Sequence, residues 1–247
     1  MRTFTKLLKT ELKLNIRNMN MVIFAVIMPV VVLAVIGIIY QSKTAFPGAE
    51  YTFLEQSMSA VCTISICAGG LMGLPIVVSE YRERKILKRF QVTPVSPVML
   101  LVVEFTIYVL YALASMVLLF PAAACFWGVA LRGSWPAFIG SWLLTLVSTL
   151  SIGMMVGGIA KDTKIASVIA SVLYFPMLIF SGATVPLEVM PGMMQKIVRL
   201  FPLTQGIQLM KSASLGLPAG NLWQPVLVMV VVTIVCMGIA VKCFKWE

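Results

Sequence analysis

The chain has 247 residues, is 60% hydrophobic and only 11% charged, and has a mean hydropathy of +0.99. Soluble domains are about half apolar, so this composition excludes a soluble globular protein and predicts an all-α polytopic membrane protein, read as a single transmembrane domain over 1–247. The net charge of +10 falls in short clusters between apolar runs, a pattern that sets orientation in a bilayer and excludes nucleic acid as the partner.

Residues 1–20 are polar and basic, and the apolar run behind them is of full spanning length, unlike a cleavable signal peptide. Leu8, Leu12 and Met19, with Phe4 and Ile16 nearby, supply one helical face, and Lys9, Lys13 and Arg17 recur every fourth residue on another. Such a helix lies among anionic headgroups. A plain positively charged anchor accounts for the same lysines and arginines.

A membrane helix needs roughly 20 mostly apolar residues. Six runs qualify: 21–40, 56–78, 98–129, 137–160, 165–181 and 222–241. The third is longer than a span needs, and Pro121 either kinks it or marks its approach to the far surface. Fourteen of the nineteen lysines and arginines lie before the first run, between the second and third, between the fourth and fifth, and after the sixth. The other five are Lys43, Arg132, Lys196, Arg199 and Lys211. This asymmetry places both termini and the 79–97 segment in the cytoplasm, in a multi-pass protein of the cell membrane.

Seven of the ten residues from 80 to 89 are charged. Within them Ile86 and Leu87, joined by Phe90, cluster on one side of a helix, and Arg82, Lys85 and Arg89 share another. Glu83 has no ideal helical ion-pair partner. Thr93-Pro94-Val95-Ser96-Pro97 follows and forces an extended corner, because each proline disfavours helix in the residue before it. A solvated loop does not need apolar residues inside its basic run; a helix that docks on a partner does.

Residues 181–210 are too apolar for an exposed loop and too broken by Pro186, Pro191 and Pro202 for one span. Met193, Met194, Ile197, Val198 and Phe201 suit one face of a short helix, with Gln195, Lys196 and Arg199 on the other. After Pro202, Leu203, Ile207 and Met210 face away from Thr204, Gln208 and Lys211. Two short amphipathic helices at the outer leaflet are expected, packed on the bundle because irregular backbone at that depth must be covered.

These two segments carry a resemblance. The 79–97 segment resembles the cytoplasmic loop between the second and third spans of type-2 ABC exporter permeases, which often reads E-R-E-x-G-x-L-x-x-L-x-x-T-P-x-S; Glu83, Arg84, Leu87, Thr93, Pro94 and Ser96 fit it. The family's usual glycine is Lys85 here. The stretch from Phe180 to Pro191, with Gly182, Pro186 and Pro191, resembles the family's entry to an outer re-entrant hairpin (182–215), and 201–204 its x-P-L-T turn. The resemblance covers nearly the whole chain. It implies that 79–97 is a coupling helix seated on a separate cytoplasmic ATPase subunit, through Glu83, Arg84, Ile86, Leu87, Phe90, Thr93 and Pro94. It also implies a second permease copy or a similar chain, ATP and Mg on the ATPase rather than a cofactor here, and outward transport of an amphipathic drug, peptide or lipid-linked compound.

The absences agree with a non-enzymatic chain. No G-x-x-x-x-G-K-[ST] loop occurs, so ATP is hydrolysed elsewhere. There is no histidine, which removes serine–histidine and histidine-ligated metal chemistry. The five cysteines form no C-x-x-C pair and read as packing residues. Asp162 is the sole aspartate, which removes paired-aspartate proteolysis, and the scattered acids supply no metal cluster for a membrane transferase. Glu104 is the one acid well inside a span; it serves either as an intramembrane polar site for substrate or proton or as a structural group near the cytoplasmic interface. Ser141, Thr145, Ser148 and the Gly153-x-x-x-Gly157 pair point to close helix packing, with the lining of a polar conduit as the alternative. The alternative from another class is a sensory or immunity membrane protein that docks a partner and transports nothing.

Overall fold

A computed structural model describes residues 2–17, 19–40, 43–45, 48, 50–86, 96–181, 191–217 and 222–243. Leu87, Phe90, Thr93, Pro94, Gly182 and Pro186 lie outside them. Among the described residues all regular structure is helical, apart from an isolated bridge between Thr44 and Thr52. In chain order the helices are α1 (Arg2–Arg17), α2 (Met19–Tyr40), α3 (Phe53–Glu83), α4 (Pro97–Trp127), α5 (Trp135–Ile159), α6 (Thr163–Phe180), α7 (Gly192–Val198), α8 (Pro202–Leu215) and α9 (Trp223–Cys243). Six of them, α2, α3, α4, α5, α6 and α9, are long and apolar enough to cross a membrane, and each overlaps one of the six runs read from the sequence.

Local chemistry sets the ends. The hydroxyl of Thr52 accepts from the Glu55 amide while the Glu55 carboxylate accepts from the Thr52 amide, a capping box that starts α3. Ser96 accepts from the Met99 amide and Pro97 occupies the first turn of α4. Asp162 caps α6 through the Ile165 amide. Pro121 sits inside a continuous α4. At 31 residues, α4 rises about 46 Å, well beyond a hydrocarbon core of about 30 Å. Gly128, at φ +65°, ends it in the left-handed conformation.

α3 and α5 form the buried centre, while α2, α6 and α9 keep broad apolar faces exposed, including Ile38, Val168, Val172 and Ile234. α3 and α5 approach closely because the glycines allow it. A Cβ on Gly153 would strike the Gly70 carbonyl oxygen, and one on Gly157 would press on Val78, so the Gly-x-x-x-Gly pair serves packing, as expected. Thr145 and Ser148 turn to α9, reaching the Met229 sulfur and carbonyl. α2 and α3 each carry one π-helical turn, at Ile23–Ile27 and Ala68–Gly73, and the two turns meet.

Three expectations are corrected. The bundle-facing side of α1 is Phe4, Leu7, Leu8 and Leu12 with Glu11 and Asn15 among them, whereas Ile16 and Met19 are exposed; the apolar face is rotated because Glu11 finds a partner in the bundle. On α8 one polar position departs: Thr204 is as fully buried as Leu203, because α8 is wedged among α3, α5 and α9, whereas Gln208 and Lys211 are less buried than Ile207 and Met210, as expected. In α7, Val198 is buried, but Met193 and Ile197 are exposed, so only one edge of that helix meets the bundle.

Candidate functional site at the near face

The α3–α4 connection, the α5–α6 turn and α1 share one end of the bundle, called here the near face. α3 runs without interruption into the charged segment and stops at Glu83. Arg82 and Lys85 therefore do not share a helical side, which corrects the expectation of one basic helix over the segment. Arg84 is exposed and pairs with Glu80 at 2.8 Å, one turn back. Lys85 takes φ +53°, the only left-handed non-glycine among the described residues. It stands where the resembling permeases carry glycine, and the turn has glycine geometry. Ile86 is half-buried and leans on the core of its own bundle.

Arg82 and Glu83 act on the next connection. Arg82 Nη1 donates to the carbonyls of Gly158 at 3.1 Å and Ala160 at 3.0 Å, at the C-terminal end of α5. Glu83 Oε2 accepts from the Thr163 amide at 3.0 Å and its hydroxyl at 2.7 Å, at the N-terminal end of α6. A cation sits at the end of one helix and an anion at the start of the next, each complementing its dipole. Sequence reasoning saw the charges but not this grip, since the partners lie 76 to 80 residues away and no spacing rule connects them.

Deeper in the near face, Tyr81 donates to Glu104 Oε1 at 2.7 Å, and its hydroxyl also lies 3.1 Å from Glu11 Oε2. Glu104 is fully buried and accepts from the Tyr81 hydroxyl. Burial also pushes the Glu11 carboxyl above its ordinary value, partly offset by the Tyr81 contact.

At the opposite, far face, Arg132 from the α4–α5 loop makes a two-pronged pair with Glu55, Nε to Oε1 at 3.1 Å and Nη2 to Oε2 at 3.2 Å, and donates to the Glu50 carbonyl. The amides of Arg132, Gly133 and Ser134 donate to the carbonyls of Ser214 and Ala213, tying that loop to α8. Pro191 precedes α7 and Pro202 opens α8. A cavity of about 490 Å³ opens between α5, α8 and α9, lined by Ala137, Gly140, Ser141, Leu209, Ala213 and Val226 among others. No group of three or more potential metal ligands occurs among the described residues.

Six candidate spans, a charged near-face connection and two short far-face helices, α7 and α8, fit a membrane permease. Residues 48–242 match the family described as ABC-2 family transporter protein, and the chain belongs to that family: it is a permease, the non-catalytic transmembrane part of an ABC transporter. It is similar to the inner membrane transport permease YhhJ of Escherichia coli strain K12, 27% identical over 167 residues, 66% of this chain and 43% of that protein. It is also similar to nodulation protein J of Neorhizobium galegae, 33% identical over 79 residues, 32% of this chain and 30% of that protein. The matches thus span less than half the length of either relative.

Proposed function

We propose that this chain is the membrane-spanning subunit of an ABC exporter in the cytoplasmic membrane, with its near face and both termini in the cytoplasm. The charge asymmetry supports that sidedness. A separate ATPase subunit, carrying ATP and Mg, docks on the 79–97 segment, and a second permease copy or a similar chain completes the pathway. α1 is the interfacial helix and 182–215 the outer re-entrant hairpin of one permease domain.

The observation that carries this reading is the double grip of Arg82 and Glu83 on the α5–α6 turn. A push on the segment that begins at Arg84 is delivered at once to α3, α5 and α6, and through Ser96 and Pro97 to α4. Leu87 and Phe90 supply the apolar contact with the ATPase, and Arg84 with the neighbouring basic residues orients it. The apolar cavity beside α8, with the Ser141 hydroxyl on its wall, suits an amphipathic substrate leaving toward the outer leaflet.

The test is purification of the chain from its native membranes with ATPase activity assayed on what accompanies it. An ATPase at about equal stoichiometry, lost on Leu87→Asp with Phe90→Asp, supports the reading. If crosslinking in intact membranes finds no ATPase, the docking assignment falls.

A further inference from the structure

A phenol has one proton to donate, yet the Tyr81 oxygen lies within hydrogen-bond distance of two carboxylates, Glu11 on α1 and Glu104 on α4. If both were ionised, one of them would face the lone pairs of the phenol oxygen with no proton between. Two buried or half-buried carboxylates close together do not both hold a charge without a cation. Among the described residues no cation pairs with them. The only ion pairs among the described residues are Arg84 with Glu80 and Arg132 with Glu55. Lys9 and Lys13 of α1 are exposed on its other sides.

Among the described residues the other polar groups beside the cluster are neutral. α1 adds the Asn15 amide, α3 adds Tyr81 itself, and α4 adds Tyr108 and Tyr111 further along the helix. α2 contributes apolar side chains such as Met21. The Tyr108 hydroxyl is buried with no hydrogen-bond partner, and Glu104 Oε2 is buried with only the Asn15 amide near the carboxyl. An acid on the bundle-facing side of an amphipathic helix breaks the local pattern, and such departures cluster at functional groups.

We propose that Glu11, Tyr81 and Glu104 form a site that binds one proton, shared between the two carboxyl groups through the phenol oxygen. With that proton in place the chain of hydrogen bonds closes: one carboxyl donates to the phenol oxygen and the phenol donates to the other carboxylate. The phenol donates to Glu104 at 2.7 Å, an ordinary length for an O–H···O hydrogen bond. The proton arrives from near-face water by way of Glu11, the more exposed of the pair. Its binding ties α1 to α3 and α4. No group of three or more potential metal ligands occurs among the described residues.

The site is a property of this chain alone, so its test is independent of ATPase docking and transport. The full chain, carrying carboxyl-labelled glutamate, is placed in lipid nanodiscs at neutral pH and its infrared carbonyl region recorded. The expected result is one protonated-carboxyl band that moves with the label. Because the proton is shared, either Glu104→Gln or Glu11→Gln removes the band, and Tyr81→Phe displaces it. The glutamines preserve volume and hydrogen bonding, and helix content by circular dichroism verifies that each variant is folded. Absence of the band in the wild type overturns the proposal. So does a band that survives both glutamine variants, or one lost in Glu104→Gln alone, which would place the proton on a single carboxyl.

Discussion

Arg82 and Glu83 are adjacent in sequence and hold opposite sides of one turn: Arg82 the carbonyls that end α5, Glu83 the amide that begins α6. A helix that ends by clasping the connection between two others is a mechanical joint. If the joint transmits force, damaging it separates docking from transport. Arg82→Ala is expected to leave ATPase binding intact and to lower transport about tenfold, the factor that loss of about 1.4 kcal/mol produces. Glu83→Gln is expected to act in the same direction. Leu87→Asp, by contrast, is expected to abolish binding itself if the proposed docking segment is correct. The comparison needs co-purification and flux measured on the same reconstituted preparations; equal loss of both in Arg82→Ala would reduce the joint to an assembly contact.

Lys85 provides a test of the turn. A lysine at φ +53° carries a steric cost of about 1–2 kcal/mol that glycine does not. Glycine also raises the entropy of the unfolded chain, so the net gain from Lys85→Gly is about 0.5–1 kcal/mol. Lys85→Val, with a branched Cβ, costs more than the wild type. Melting curves of the three chains in one detergent check the order Gly above Lys above Val.

The spans were legible because an apolar run of about 20 residues has few alternatives; their starts, set by the caps Thr52, Ser96 and Asp162, were not read from the sequence. Nor was the length of α3, since what sustains helix to Glu83 is contact with the distant α5–α6 turn. The orientation of α1 was missed for a related reason. Hydrophobicity alone places Glu11 outward, and only the position of Tyr81, 70 residues on, turns it inward. Burial of Thr204 was hidden because α8 meets α5 where Gly206 admits Thr145, a contact that no periodicity reports. The roles proposed for the coupling segment and the hairpin entry rest on the residue pattern and on resemblance to a family, since Leu87, Phe90, Gly182 and Pro186 lie outside the described residues.

At the far face, Glu55 is nearly buried while Arg132 is about half exposed. Their pair therefore falls between an exposed one and a buried one, and Arg132→Ala is expected to cost about 1–3 kcal/mol. Much of that is the carboxylate left behind, so adding Glu55→Gln to Arg132→Ala should recover part of the loss. A double-mutant cycle by thermal melting checks this, and strictly additive single effects would show that the pair contributes nothing as a pair.

Gly153 and Gly140 lie on the same helix in opposite circumstances. A Cβ on Gly153 meets the Gly70 carbonyl; one on Gly140 meets nothing within 4 Å. Gly153→Ala should separate α3 from α5 and cost about 1–3 kcal/mol, whereas Gly140→Ala should gain up to about 1 kcal/mol from helix propensity. Parallel melting of the two variants is the check, and similar effects from both would contradict the close α3–α5 contact.

The pH dependence of α1 docking follows from Glu11, whose carboxyl is raised by burial above its ordinary value. The docked state binds the proton more tightly than the undocked one, so docking is strongest in acid, below the ordinary glutamate value. It weakens as pH rises through the raised value. Trypsin cleavage at Lys9 and Lys13 reads this directly when rates are corrected for the enzyme's own pH profile. Cleavage should accelerate with rising pH in the wild type and stay flat in Glu11→Gln, which keeps the neutral form at every pH. Acceleration of the same size in Glu11→Gln would assign the effect to another group, and cleavage that slows with rising pH would reverse the sign and remove Glu11 from the account of how α1 is held.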